Sequence, residues 1–282
     1  MNDVKKTGQN PKKALWKCGA CSHAVFNLLN QEFDNHKETE ERASDPLAGG
    51  IMQKGEQCGM LWGGTLAIGT ESYRRNKNQN KAIAAAITST GLLVESFVKR
   101  TKSVNCRDIT NCDFSNKVDF TKYIIKTILC GFIYSPCFNL IEKWTPEAIF
   151  CAKEGLSAES IGVSKPVLSC STEVAKKMGA SDEEMVMVAG FAGGLGLSGN
   201  ACGALSAAIW KKTLEWCKVN SGTPPFFKNE NAKKIVAAFN NTTNSEILCS
   251  KITGKSFKTV DEHTEFIKAG GCSKLIDVLS QS

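Results

Sequence analysis

Histidine is scarce in this sequence, three residues in 282, and each stands apart from any catalytic order. There is no Ser-His-Asp order, no phosphate-binding glycine loop followed by Lys and Ser or Thr, no H-E-x-x-H and no G-x-G-x-x-G after a strand-like run. Conventional hydrolase, nucleotide and zinc-protease chemistries therefore have little support. Strand-like alternation is also scarce, which predicts an all-α fold. The first 13 residues hold no apolar signal-peptide core, so a cytoplasmic protein is expected. No basic block is interleaved with aromatics, which removes the usual nucleic-acid footprint. The 35 Lys and Arg against 28 Asp and Glu give +7, spread along the chain as a solvated surface. That charge would also suit an acidic soluble electron donor or acceptor. Residues 186–210 carry no charge and are long enough to cross a bilayer, but six glycines and Asn200 make them a buried loop and helix start rather than a membrane span.

What the sequence does have is cysteine, 13 in all, an odd number that argues against a fully paired disulfide set. Without an export signal, cysteines at regular positions point to metal binding or catalysis. One stretch recurs. Residues 49–61 and 193–205 both read G-G-x-x-x-x-G-x-x-C-G-x-L, 144 residues apart and without a gap. The chain is therefore expected to be two homologous helical units, residues 1–156 and 157–282, arranged about a pseudo-twofold axis as a homodimer would be.

Laying one half on the other separates the cysteines into two groups. Cys21 matches Cys170, Cys58 matches Cys202, Cys106 matches Cys249 and Cys137 matches Cys272, each with neighbours in common such as Ile109-Thr110 with Ile252-Thr253. Cys18, Cys112, Cys130, Cys151 and Cys217 have no partner of their kind and are expected to serve as small buried hydrophobes. Four thiolates per half is the number that fills the shell of an iron-sulfur cluster or a structural zinc. Gly55 and Gly59, with Gly199 and Gly203, are candidates to let the backbone approach such a group, and helix-start amides there could point at sulfur. Close helix packing through small residues explains the same glycines.

Helices are expected at 14–33, 58–73, 81–98, 120–129, 167–178, 182–189, 205–217, 231–240 and 264–279, with Cys18 and Cys21 on the first turns of the first. Residues 37–43 are read as helix or loop, 157–166 as a linker, and acidic runs such as 38–41 as solvated faces.

With these residues in hand, the chain resembles the redox-active family named for its cysteine pattern, C-GCAxxG-C-C, as two tandem copies. The first copy reads Cys58-Gly59-Met60-Leu61-Trp62-Gly63, with Met60 for alanine. The second reads Cys202-Gly203-Ala204-Leu205-Ser206-Ala207, with Ala207 for the last glycine. The resemblance implies a redox role and extends to the split-Soret cytochromes, where a related unit accompanies haem and an iron-sulfur centre. The haem does not carry over: Cys18-Gly19-Ala20-Cys21-Ser22-His23 sets its histidine one residue late for C-x-x-C-H, and no true motif exists elsewhere. His23 is then a surface or helix histidine.

Three readings stay open at this point. Each half could ligate a [2Fe-2S] or [4Fe-4S] cluster through its four cysteines, or all eight could hold one larger shared cluster. Metal-free thiol chemistry could instead use Cys18 and Cys21 as a C-x-x-C pair, or Cys58 and Cys202 as activated thiolates. A structural zinc scaffold is the third.

Overall fold

The computed structural model describes residues 9–130, 135–157, 165–225 and 229–282. Within them the chain folds into fifteen α-helices, with no strands and one isolated bridge, Gln57 to Asn105. The first half holds α1 (Pro11–Cys18), α2 (Cys21–Glu32), α3 (Glu38–Arg42), α4 (Gly59–Arg75), α5 (Gln79–Thr101), α6 (Cys106–Thr110), α7 (Lys117–Leu129) and α8 (Pro136–Ser157). The second holds α9 (Cys170–Lys177), α10 (Asp182–Ala189), α11 (Gly203–Val219), α12 (Glu230–Thr243), α13 (Cys249–Thr253), α14 (Val260–Lys268) and α15 (Ser273–Gln281).

Two expected helices are each broken in two, at the residues that matter. The run 14–33 stops at Cys18 because Gly19, at φ 75°, caps α1 in the left-handed region, and α2 starts afresh at Cys21. The run 264–279 is broken where Gly270, at φ 86°, and Cys272, at φ 59°, turn the chain before α15. Asp182–Ala189 folds as expected, with Ser181 and Glu184 forming a reciprocal cap. The segment 190–202 is a turn-rich loop leading into α11, and most of the linker read at 157–166 lies outside the described residues.

The helices that follow the two glycine frames form the centre. Buried α4 packs against α2, α5 and α10, while α11 packs against α9, α12, α3 and the short 3-10 turn Asp45–Leu47. The exchange is reciprocal: the helix preceding each frame (α3, α10) lies against the helix following the other frame (α11, α4). This is the pattern of an isologous pair. Trp62 of the first half meets Phe191 of the second edge to face, with ring centres 4.8 Å apart, and the Trp210 indole donates to the Glu40 carbonyl. Arg42 donates to the carbonyls of Cys217, Asn220 and Gly222, and Gln57 donates to Asn200, so the frames themselves touch. One core runs through both halves. Among the described helices α5 alone is long and apolar enough to cross a membrane, and its apolar side is taken up by α4, α8 and α10.

Candidate functional site

Every one of the eight repeated cysteines sits at the start of a helix. Cys21 opens α2, Cys58 caps α4, Cys106 opens α6 and Cys137 is the second residue of α8. In the second half Cys170 opens α9, Cys202 caps α11, Cys249 opens α13 and Cys272 caps α15. The other five do not share this placement: Cys18 ends α1, Cys112 follows α6, Cys130 ends α7, and Cys151 and Cys217 lie inside helices. A helix start leaves backbone N–H groups without partners and carries the positive end of the helix dipole. Each half thus turns four such ends toward one group of sulfurs.

Within each half the four thiols lie in electrostatic range of one another. Cys58 is pushed well up by its hydrogen bond with Cys21, by burial and by the charges of Cys21, Cys106 and Cys137. Burial first, then Cys137 and Cys21, pushes Cys106 up, and burial with Cys21 moves Cys137 to about 12. In the second half burial and then Cys170, Cys249 and Cys272 raise Cys202. Burial with Cys170 lifts Cys249 and Cys272 each to about 12. Cys21 alone is pulled down, first by the hydrogen bond with Cys58 and then by the backbone N–H of Gly49. Burial raises Cys170 although the N–H groups of Gly193 and Ala204 point at it. Among the described residues no three His, Cys, Asp or Glu side chains stand in a geometry that would hold a metal ion.

The glycine frames build this arrangement. Gly49 and Gly193, both at positive φ, begin the two frames and present equivalent N–H groups to Cys21 and Cys170. At the far end, the carbonyls of Gly55 and Gly199 accept from the backbone N–H of Arg107 and Ser250, which fixes the helices opened by Cys106 and Cys249. A Cβ on Gly59 would lie 2.7 Å from the Cys21 sulfur and one on Gly203 would lie 2.1 Å from the Phe191 carbonyl oxygen. Gly59 and Gly203 therefore act by close approach, and Gly55 and Gly199 by positive φ, 81° and 77°. The residues that the sequence did not mark are Gly49 and Gly193 as donors, the repeated Thr110 and Thr253 beside Cys106 and Cys249, and Tyr123, whose hydroxyl bonds Cys137. Repetition of the frame glycines and of the threonine was the available signal. Tyr123 had none: α14 matches α7 (Val118-Asp119 with Val260-Asp261, Ile125-Lys126 with Ile267-Lys268), but the tyrosine is not repeated in it.

Several expectations need correction. Four of the unpaired cysteines, Cys18, Cys112, Cys130 and Cys151, are partly exposed, and only Cys217 is a buried thiol. Cys18 and Cys21 are both free thiols and stand on different helices, Cys18 at the end of α1 and Cys21 at the start of α2. His23 is the helix histidine of the two kinds expected: it sits in the first turn of α2, where its Nδ1 pairs with the buried Asp45 at 3.1 Å. Glu41, read as solvated, is 2% exposed and accepts from Asn27 and Asn30.

His263 is buried edge to face against Phe257, with Nδ1 unpartnered and a hydrogen bond to the Leu168 backbone; burial lowers it to about 4. The neutral ring belongs to the folded state, so its contribution is complete above about pH 6.5 and is lost as pH falls toward 4. Urea unfolding at pH 7.5 and pH 4 should show the wild type losing about 3 kcal/mol more than His263→Gln. Equal losses would mean that the ring is hydrated.

A family model described as "Putative redox-active protein (C_GCAxxG_C_C)" matches residues 20–144 and again 168–281. None of the curated proteins and none of the solved structures compared with the chain matches it.

Proposed function

Because the chain belongs to the C_GCAxxG_C_C family of redox-active proteins, carrying the family unit twice, we propose that each half is built to hold an iron-sulfur cluster. Cys21, Cys58, Cys106 and Cys137 would hold one, and Cys170, Cys202, Cys249 and Cys272 the other. One observation carries the reading: the eight repeated cysteines, and none of the other five, stand at helix starts whose amides favour negative charge. The donor set fits the group in kind. Soft thiolates suit iron and sulfide, and burial that keeps these thiols protonated when no cation is near is offset by a bound cation. Bound clusters would supply one-electron chemistry. The sulfurs of each half act chiefly on one another, which favours two separate centres over one shared cluster. Gly49 and Gly193, as donors to sulfur, would raise the reduction potential of each. A depression of about 560 Å³ bordered by Cys272, Lys251 and Phe266 gives the second centre an opening to solvent, where a soluble electron carrier could approach. We assign the protein to electron transfer in the cytoplasm.

Protein purified without oxygen should contain iron and acid-labile sulfide in near-equal amounts, with visible absorption. Cys58→Ser and Cys202→Ser should each remove about half of both, since each breaks one four-thiolate shell. Absence of iron and sulfide from anaerobic wild type overturns the reading, and zinc in their place moves it to a structural site.

A second reading has its own observation, the nearness of Cys21 and Cys58, each of which is the first influence on the other's thiol. In metal-free protein these two would form a reversible disulfide. The signature is a colourless protein that loses two titratable thiols on mild oxidation and regains them with reductant.

A further inference from the structure

Helix α7 (Lys117–Leu129) turns an apolar side outward. Val118, Ile125 and Leu129 stand at i, i+7 and i+11 with Ile128 beside them, so they form one stripe along the helix. All four are more than half exposed, Leu129 at 80%. The opposite side is already occupied. Phe120 and Tyr123 pack edge to face on Phe114, with ring centres 5.8 and 5.0 Å away, the Tyr123 hydroxyl meets Ser135 at 2.9 Å, and Thr127 is buried. Rolling the stripe inward would expose those rings, so the chain cannot bury both sides of the helix. Thr121, which lies within the stripe, donates its hydroxyl to the Lys117 carbonyl, and that hydroxyl therefore needs no water.

The matching helix of the second half is built differently. Ile267 of α14, at the position of Ile125, is buried, and Thr264 donates to the Leu168 carbonyl and holds α14 on the body. Charge reverses as well. α7 carries Lys117, Lys122 and Lys126 against Asp119, whereas α14 carries Asp261, Glu262 and Glu265 against Lys268. Lys122 and Lys126, at i and i+4, run along one margin of the α7 stripe and Lys117 stands on the other, all three exposed. An apolar stripe between margins of lysine suits the interface of a bilayer, with aliphatic groups among the acyl chains and ammonium groups at the level of the headgroups.

We propose that α7 is a membrane-surface helix that docks the first half on an anionic lipid bilayer, of the kind that the cytoplasmic leaflet presents. The helix lies on the bilayer; at 13 residues it is too short to cross it. Anionic lipid fits better than a second copy of this chain. An isologous contact through α7 would set its lysines against those of the other copy, and the acidic α14 has no exposed aliphatic stripe to meet it. On the inner side the Tyr123 hydroxyl accepts from the Cys137 N–H, so the docked face lies beside the first group of thiols. Docking itself does not depend on what those thiols hold.

The test is co-sedimentation of the whole chain with vesicles of phosphatidylcholine alone and of phosphatidylcholine with about 30% phosphatidylserine. The wild type is expected to bind the anionic vesicles at least about tenfold more strongly, and to leave them as salt rises from about 0.1 M to about 1 M. Ile125→Ser combined with Leu129→Ser should weaken that binding about tenfold through lost apolar burial. Lys122→Gln combined with Lys126→Gln should weaken it by about the same factor and remove most of the preference for phosphatidylserine. Lys233→Gln combined with Lys234→Gln, at exposed positions of α12, changes the net charge equally and should leave binding as it was. All of these positions are exposed, so the urea midpoints should stay with that of the wild type. Equal binding of the wild type to both vesicles, binding to neither, or an equal loss from the α12 pair overturns the proposal. If neither vesicle binds the chain, and sedimentation equilibrium shows dimers that the Ile125→Ser, Leu129→Ser variant lacks, the stripe belongs instead to a contact between copies.

Discussion

Replacing Gly63 by alanine is expected to destabilise the protein by about 3 kcal/mol, a penalty at the top of the range for an added methyl because nothing near it can turn aside. The new Cβ would stand 2.0 Å from the Ser22 carbonyl oxygen and 3.1 Å from the Phe26 nitrogen, both backbone atoms of α2. A rotamer change cannot relieve a clash with main chain, so α2 must move off α4. The better helix propensity of alanine returns about 1 kcal/mol at most. Since α2 begins at Cys21, the movement should also part Cys21 from Cys58, and on the proposed function the iron held by the first half should fall while the second half keeps its own. The matching residue of the second half is Ala207, fully buried. There Ala207→Gly should cost only about 1 kcal/mol, the price in helix propensity. A urea midpoint for Gly63→Ala within experimental error of the wild type would show that the two helices can separate freely.

That comparison explains a difference between the halves. The first half departs from the family pattern by Met60 and keeps its last glycine; the second keeps alanine at 204 and gives up the glycine. Gly63 lets α2 lie directly on α4, and Cys21 reaches Cys58 there. In the second half that position carries the fully buried methyl of Ala207.

The pairing of cysteines between halves was legible because duplication repeats whole motifs, and periodicity was enough for an all-α chain. Where helices begin was less legible, and this decided the site. Leu15, Val25, Leu28 and Leu29 keep a helical rhythm straight through Gly19, so the rhythm alone runs α1 into α2 and hides Cys21 as a helix start. The same happens across Gly270 and Gly271. Long-range pairs leave still less trace: Asp45 meets His23 from 22 residues away, and Glu41 looks like part of a charged surface run until Asn27 and Asn30 are seen donating to it. Charge in a sequence reports polarity; only the fold reports which polar groups are enclosed.

Lys211 is the sharpest case, and Lys211→Met should cost about 3 kcal/mol at neutral pH, the scale for breaking a buried pair from one side. The residue directly follows the uncharged stretch 186–210, yet its side chain is 4% exposed. Its Nζ lies 3.0 Å from Glu184, itself nearly buried, and 3.6 Å from Glu215. Burial works to raise the Glu184 carboxyl, but hydrogen bonds from Lys218 and Lys211 overcome it and hold the group below the ordinary carboxylate range. Glu184 also closes the cap of α10 by accepting from the Ser181 backbone, and α10 is the second-half helix that lies on α4 and α5. Removing Lys211 leaves this carboxylate with Lys218 as its remaining cation and loosens the joint between halves. Stability owed to a depressed carboxyl is present above its unfolded value and is lost as pH falls through the folded one. The cost of Lys211→Met should therefore shrink on going from pH 7 to pH 4. Adding Glu184→Gln should recover part of the loss at pH 7, because the uncompensated charge is then gone. If the double variant is no more stable than Lys211→Met, the penalty lies in packing of the lysine stem and not in the stranded carboxylate.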